Sequence, residues 1–216
     1  MVKAIIFDFD GVILESVSVK TDAFRELFSF DKAHVEEIVR FHIRNGGMSR
    51  FDKFRYIYTD ILHEELTEKQ MIWLCSQFTE LTLSGVKNAK YVTGILDFLE
   101  KCQSKYIFYI VSATPEDELL DIAHQKGITR FFRHIMGSPA SKEINIKKIL
   151  TSVDIPKHDI IFIGDALNDL SAARNTGLRF IGRVKPGDPE IFAGLPGVEM
   201  VIHDFLELEK NIGDLS

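Results

Sequence analysis

A chain of 216 residues with 45% apolar and 27% charged residues has enough material for one large domain, or one domain carrying a smaller insert. A net charge of -6 argues against a protein that wraps nucleic acid by bulk electrostatics. The opening run "MVKAIIFDFDG" is too short and too acidic for a signal peptide or a membrane span, so a cytoplasmic protein with no membrane partner is expected.

Residues 3–9 read as a strand buried on both faces. Further apolar, β-prone runs follow at 106–112, 131–137, 159–165 and 178–182, with a weaker one at 198–202. Helical stripes lie between them, over 94–102, 115–127, 144–150 and 168–177. The second of these has Thr114 as its expected N-cap and Pro115 at its first position, and it stops at Gly127. Strands alternating with helices predict an α/β fold, a Rossmann-like parallel sheet between two helical layers. Residues 17–88 break the alternation and read as helices over 18–30, 33–44, 50–62 and 67–84. We expect a core of residues 1–16 and 89–216 with a helical cap, 17–88, inserted after the first strand and left near Gly85.

A parallel sheet binds ligands at the carboxyl ends of its strands, and polar residues follow the strands at that end. Asp8 and Asp10 close the first, Ser112 the second and Asp165 the fourth, while Asp169 falls in the helical turn after Asp165. Lys142 is expected in a loop after the third strand, with Lys147 and Lys148 as competitors further along. Carboxylates this concentrated need a counter-charge, and an oxygen-only ligand set suits Mg²⁺ sharing its shell with a phosphate. Cys75 and Cys102 show no metal-ligand spacing and read as small hydrophobes. The seven histidines lie away from these motifs.

The ordered set "DFDGVILES", "IVSATP" and "GDALND" resembles the haloacid dehalogenase superfamily, in its phosphatase branch with a helical cap. The resemblance implies that Asp8 is a nucleophile forming an aspartyl-phosphate and that Asp10 is the general acid, then the base. It implies Mg²⁺ held by Asp8, the Asp10 carbonyl and Asp165, with Asp169 at or near the ion. Ser112 and the Ala113 amide would hold phosphoryl oxygens, and Lys142 would neutralise shared negative charge. Val12 and Glu143 depart from the commoner threonine and proline of the family. The stretch "GGMSRFDKF" is similar to the substrate-facing cap loop of sugar-phosphate enzymes in this branch, β-phosphoglucomutase among them, and places Gly47, Arg50 and Lys53 near substrate. The expected activity is Mg²⁺-dependent hydrolysis of a small phosphorylated metabolite, with a sugar phosphomutase as the alternative and a monomer or homodimer as the assembly. A phosphorylated signalling receiver shares the acidic pocket, but its chain is about half this length and its phosphorylated aspartate comes later.

Overall fold

The computed structural model describes residues 1–215. Six strands, β1 (Ala4–Phe7), β2 (Ile107–Pro115), β3 (Phe132–Ser138), β4 (Ile160–Gly164), β5 (Arg179–Arg183) and β6 (Val198–Ile202), form one sheet in the order β3-β2-β1-β4-β5-β6. Every neighbouring pair is parallel. The expected strands are all present, with ends moved by a few residues.

Side-chain alternation along a strand divides the core into two halves. Ile5 and Phe7 point to one face with Phe108, Ile110, Ile161 and Ile163. There they pack under α5 (Ile95–Cys102), α6 (Glu116–Gln125) and α9 (Phe205–Asn211). Ala4 and Ile6 point to the other face with Tyr109, Val111 and Phe162, under α7 (Lys142–Ser152) and α8 (Leu167–Thr176). Burial on both sides is why these strands read as unbroken apolar runs.

Between β1 and β2 lie α1 (Val17–Leu27), α2 (Val35–Arg44), α3 (Arg50–Tyr56), which runs on into a π-helical turn at Ile57–Ile61, and α4 (Glu68–Asn88). They enclose their own apolar cluster, centred on Phe24, Phe28, Phe54 and Phe78. Thr67 and Gln70 close a reciprocal capping box at the start of α4. Gly85 does not end this helix. A Cβ there would stand 2.6 Å from Val19 Cγ1, so the glycine lets α4 lie against α1.

Two other helix starts differ from expectation. α6 begins at Glu116 with Pro115 as its N-cap, and Thr114 remains in β2. Lys142 is the first residue of α7, capped by the Ser141 hydroxyl, rather than part of a loop.

Candidate active site

Asp8 follows β1, and its amide donates to the Ile163 carbonyl at 2.9 Å, which fixes the backbone where the ladder ends. The next turn needs Gly11, at φ +76°, where a Cβ would stand 2.0 Å from Asp165 Oδ2. That contact brings the ends of β1 and β4 together. Asp8, Asp165 and Asp169 each present a carboxylate oxygen within 4.8 Å of the others.

Lys142 reaches this cluster from α7. Its amine lies 3.0 Å from Asp8 Oδ2 and also pairs with Asp169 Oδ1. Lys147 and Lys148 are exposed on the outer side of the same helix. The second Asp169 oxygen accepts from the Ala166 amide at 3.1 Å, so both its oxygens have partners. Asp8 Oδ1 is buried and has no partner among the described residues. Burial raises the Asp8 carboxyl to about 7; Lys142 opposes the rise, and Asp169 and Asp10 add to it. Burial, then Asp8 and Asp169, pushes Asp165 well above the ordinary carboxylate range. Burial drives the Lys142 amine down, yet Asp169 and Asp8 hold it above its usual value.

Three side chains surround Asp10. Ser16 Oγ donates to Oδ1 at 2.6 Å, Thr114 Oγ1 donates to Oδ2 at 2.8 Å, and the Lys20 amine pairs with Oδ2. Lys20 also donates to Thr114 Oγ1 at 2.7 Å. Burial alone would raise the Asp10 carboxyl, but Lys20, Ser16 and Thr114 hold it below its ordinary value. Neither Lys20 nor Thr114 stood out in the sequence as a site residue. Lys20 lies one helix turn past Ser16, a spacing that becomes informative only once α1 is seen to start above Asp10.

The pocket over Asp8 has a volume of about 120 Å³, and its walls include Asp10, Lys20, Lys53, Ser112, Ala113 and Asp165. Gly47 lines it as well. Asn168 Nδ2 donates to the Gly46 carbonyl at 2.6 Å, seating the α2–α3 turn on the core. At Gly47, φ is +73°, and a Cβ would press within 3.4 Å of the Ala166 and Asn168 side chains and the Lys142 amine. Lys53 is buried with its amine 3.0 Å from His42 Nδ1. Burial first, then Lys20, brings the Lys53 amine down to about 7. Burial, with Lys53 and Lys20 nearby, takes His42 down to about 2, so the ring is neutral and accepts from Lys53. His42 lines the pocket as well, buried and satisfied by Lys53.

Arg50 is not in this pocket. Its guanidinium makes a bidentate pair with Glu118 of α6, at 2.9 and 2.7 Å, and donates to Thr79 at 2.7 Å. It also lies over the Phe78 ring, 4.7 Å from the centroid. The expected substrate contact is instead a buried tie from α3 to α4 and α6. Arg50→Ala should strand Glu118 and lower stability by about 2–3 kcal/mol, with a smaller effect on KM than on the melting temperature. A large rise in KM at unchanged melting temperature would return Arg50 to the substrate.

The haloacid dehalogenase-like hydrolase family model matches residues 5–183. The chain is 25% identical over 193 residues to a phosphoglycolate phosphatase of Vibrio parahaemolyticus serotype O3:K6, spanning 84% of this chain and 83% of that one. It is 24% identical to the protein CbbY of Cereibacter sphaeroides, covering 96% and 94% of the two chains. Among solved structures, β-phosphoglucomutase from Clostridium difficile superimposes with a TM-score of 0.82 at 18% identity, covering 100% of this chain and 97% of that one. With the family match spanning most of its length and the carboxylates, lysine and serine gathered at the strand ends, this chain belongs to the haloacid dehalogenase-like hydrolases.

Proposed function

We propose that the protein is a phosphatase that hydrolyses a small phosphomonoester through an aspartyl-phosphate on Asp8. The observation that carries this reading is the Asp8 carboxylate itself. Lys142 holds one of its oxygens, and the other is buried without a partner beside two more aspartates. The names of the phosphoglycolate phosphatases similar to this chain support the same activity. Helices α1–α4 form the cap, on a core made by the rest of the chain.

The donor set fits a hard divalent cation. Asp8 Oδ1, Asp165 and the Asp10 carbonyl would hold Mg²⁺, with Asp169 behind them orienting Lys142. When bound, the ion would offset the mutual repulsion of the carboxylates and withdraw charge from a phosphoryl group. Ser112 and the Ala113 amide line the pocket and orient that group. Asp8 attacks phosphorus, and the bond to the leaving oxygen breaks. Asp10, which Lys20, Ser16 and Thr114 hold ionised, takes up a proton once Lys20 withdraws, gives it to that oxygen, then takes one from the water that attacks the aspartyl-phosphate. Lys142 balances the charge on Asp8. Lys53 and His42 face the leaving group from the cap. Lys20 rides on the first cap helix, so its hold on Asp10 depends on where the cap stands.

The test is release of inorganic phosphate from a panel of phosphomonoesters with Mg²⁺, scored by kcat/KM. Asp10→Asn should cost alkyl phosphates about 10²–10⁴-fold, and aryl phosphates, whose leaving groups need no proton, far less. Equal losses for the two classes would remove Asp10 from the acid role.

A sugar phosphomutase remains the second reading, favoured by the β-phosphoglucomutase-like fold. A mutase must hold a second phosphate, and Glu118 occupies the guanidinium of Arg50. Adding a sugar bisphosphate separates the readings. A phosphatase releases phosphate without it, whereas a mutase converts substrate to its isomer only in its presence.

A further inference from the structure

Beside the catalytic pocket, and several times its size, a cleft of about 690 Å³ opens between the cap and the loops after β4 and β5. That volume lies in the range of small-molecule sites, about 300–1,000 Å³. The cleft and the pocket share Val17, Thr21, Ile43, Gly46 and Asp165, so the cleft continues the space in which the reaction takes place.

Exposed apolar side chains gather on its walls. Val17, Ile43, Leu167 and Ile191 all line it, and each is 42–61% exposed. Single exposed apolar side chains are ordinary, but four around one hollow that opens onto a reactive centre mark a binding surface. Charges stand at its rim. Glu15 is neutralised by Arg183, with Nη1–Oε2 at 3.2 Å, and Asp165 belongs to the carboxylate cluster. Arg44 and Lys185 also line the cleft, and neither makes an ion pair among the described residues. Asp188 is the one remaining carboxylate there. The other mouth of the catalytic pocket, past Gly47, Ser138 and Lys142, is smaller, about 180 Å³, and is lined mostly by polar residues.

Resting on the phosphatase reading, we propose that this cleft holds the part of the substrate that does not react, and that this part is an amphipathic anion. An apolar body would lie against Ile43, Leu167 and Ile191, and a distal carboxylate, sulfonate or phosphate would sit at Arg44 and Lys185. The inner pocket has room for little more than a phosphoryl group, so the body of any larger ester must leave through a mouth. The wider mouth offers apolar walls and unpaired cations together. The substrate class is then a phosphate monoester of a long-chain or aromatic hydroxy acid rather than of a compact polyol.

The experiment compares four esters: carboxymethyl phosphate (phosphoglycolate), 6-phosphooxyhexanoate, hexyl phosphate and methyl phosphate. Each methylene moved from water to the cleft is expected to lower KM, up to about fourfold per group, so 6-phosphooxyhexanoate should have a KM at least tenfold below that of phosphoglycolate. Its terminal carboxylate should give it an advantage of about fivefold over hexyl phosphate. Lys185→Glu should erase the carboxylate advantage and Ile191→Ser the chain-length advantage, both leaving kcat/KM for methyl phosphate unchanged. A second arm needs no turnover. Anilinonaphthalenesulfonate, an apolar body bearing a sulfonate, should bind the wild-type chain with a rise in fluorescence and bind the Lys185→Glu/Ile191→Ser double variant at least tenfold more weakly. KM values blind to chain length and terminal charge would overturn the proposal, as would dye affinity equal in the two proteins. If no phosphomonoester is turned over while the dye behaves as expected, the phosphatase reading falls and the ligand chemistry of the cleft stands.

Discussion

Asp8→Asn is expected to abolish phosphate release, by at least about 10⁴-fold in kcat. Asparagine keeps the shape of the side chain and removes the oxygen nucleophile. No neighbouring carboxylate can replace it. Asp169 is bound at both oxygens, and Asp165, just past the end of β4, packs against the Gly11 turn. The same substitution should change stability in a pH-dependent way. In the folded chain Asp8 binds its proton up to about 7, against an ordinary value of 3.8. A carboxyl raised in this way contributes stability below its unfolded value and loses that contribution as pH rises through the folded one. Without divalent metal, the wild-type stability should therefore fall between about pH 4 and pH 7, with a slope approaching 1.4 kcal/mol per pH unit for one such group, and the melting temperature should fall with it. Asp8→Asn should flatten that fall, and Mg²⁺ should restore the wild-type protein most strongly at the alkaline end. Phosphate release that survives in Asp8→Asn would end the aspartyl-phosphate reading. A melting temperature unaffected by pH and by Mg²⁺ would show that the carboxylates are not crowded together as described.

What the sequence made legible follows from where each group lies on the chain. Asp8, Ser112 and Asp165 each come within a few residues of an apolar run, so strand periodicity alone directs them to one edge of the sheet. Lys142 depends on the start of α7, and only the fold separates it from Lys147 and Lys148, which face outward. Lys20 and His42 lie on α1 and α2, where one amphipathic face looks much like another, and their place in the pocket depends on how those helices rest on the sheet; Lys53 is expected near substrate only from the resemblance of its loop. Arg50 shows the limit most clearly. Its residue type and its loop suit a phosphate contact, but Glu118, 68 positions further along, claims the guanidinium, and no local pattern reveals so distant a partner. Thr114 failed for a different reason. Threonine before proline is a good helix start, but β2 continues through it, and its hydroxyl binds Asp10 instead of capping α6.

Lys142→Met is expected to be the most destabilising single change at the site and to lower kcat by at least about 10³-fold. The amine is buried, with its side chain 6% exposed, between Asp8 and Asp169. Methionine fills a similar volume but leaves Asp8 and Asp169 without their shared cation, with Asp165 beside them. Breaking a buried ion pair from one side costs about 3–5 kcal/mol, and here one cation serves two anions. The penalty belongs to ionised carboxylates, so it should be largest near pH 8 without divalent metal and shrink toward pH 5, where Asp8 takes up its proton. Mg²⁺ should recover part of the stability and none of the lost rate, since the ion relieves the repulsion but does not stand where the amine meets Asp8. Lys147→Met and Lys148→Met on the exposed side of the same helix are the controls and should stay within about 0.5 kcal/mol of the wild type. If either control lost as much activity as Lys142→Met, the active-site lysine would be misassigned. If Lys142→Met were as stable as the wild type at pH 8 without metal, the carboxylates it bridges could not be as close as the fold places them.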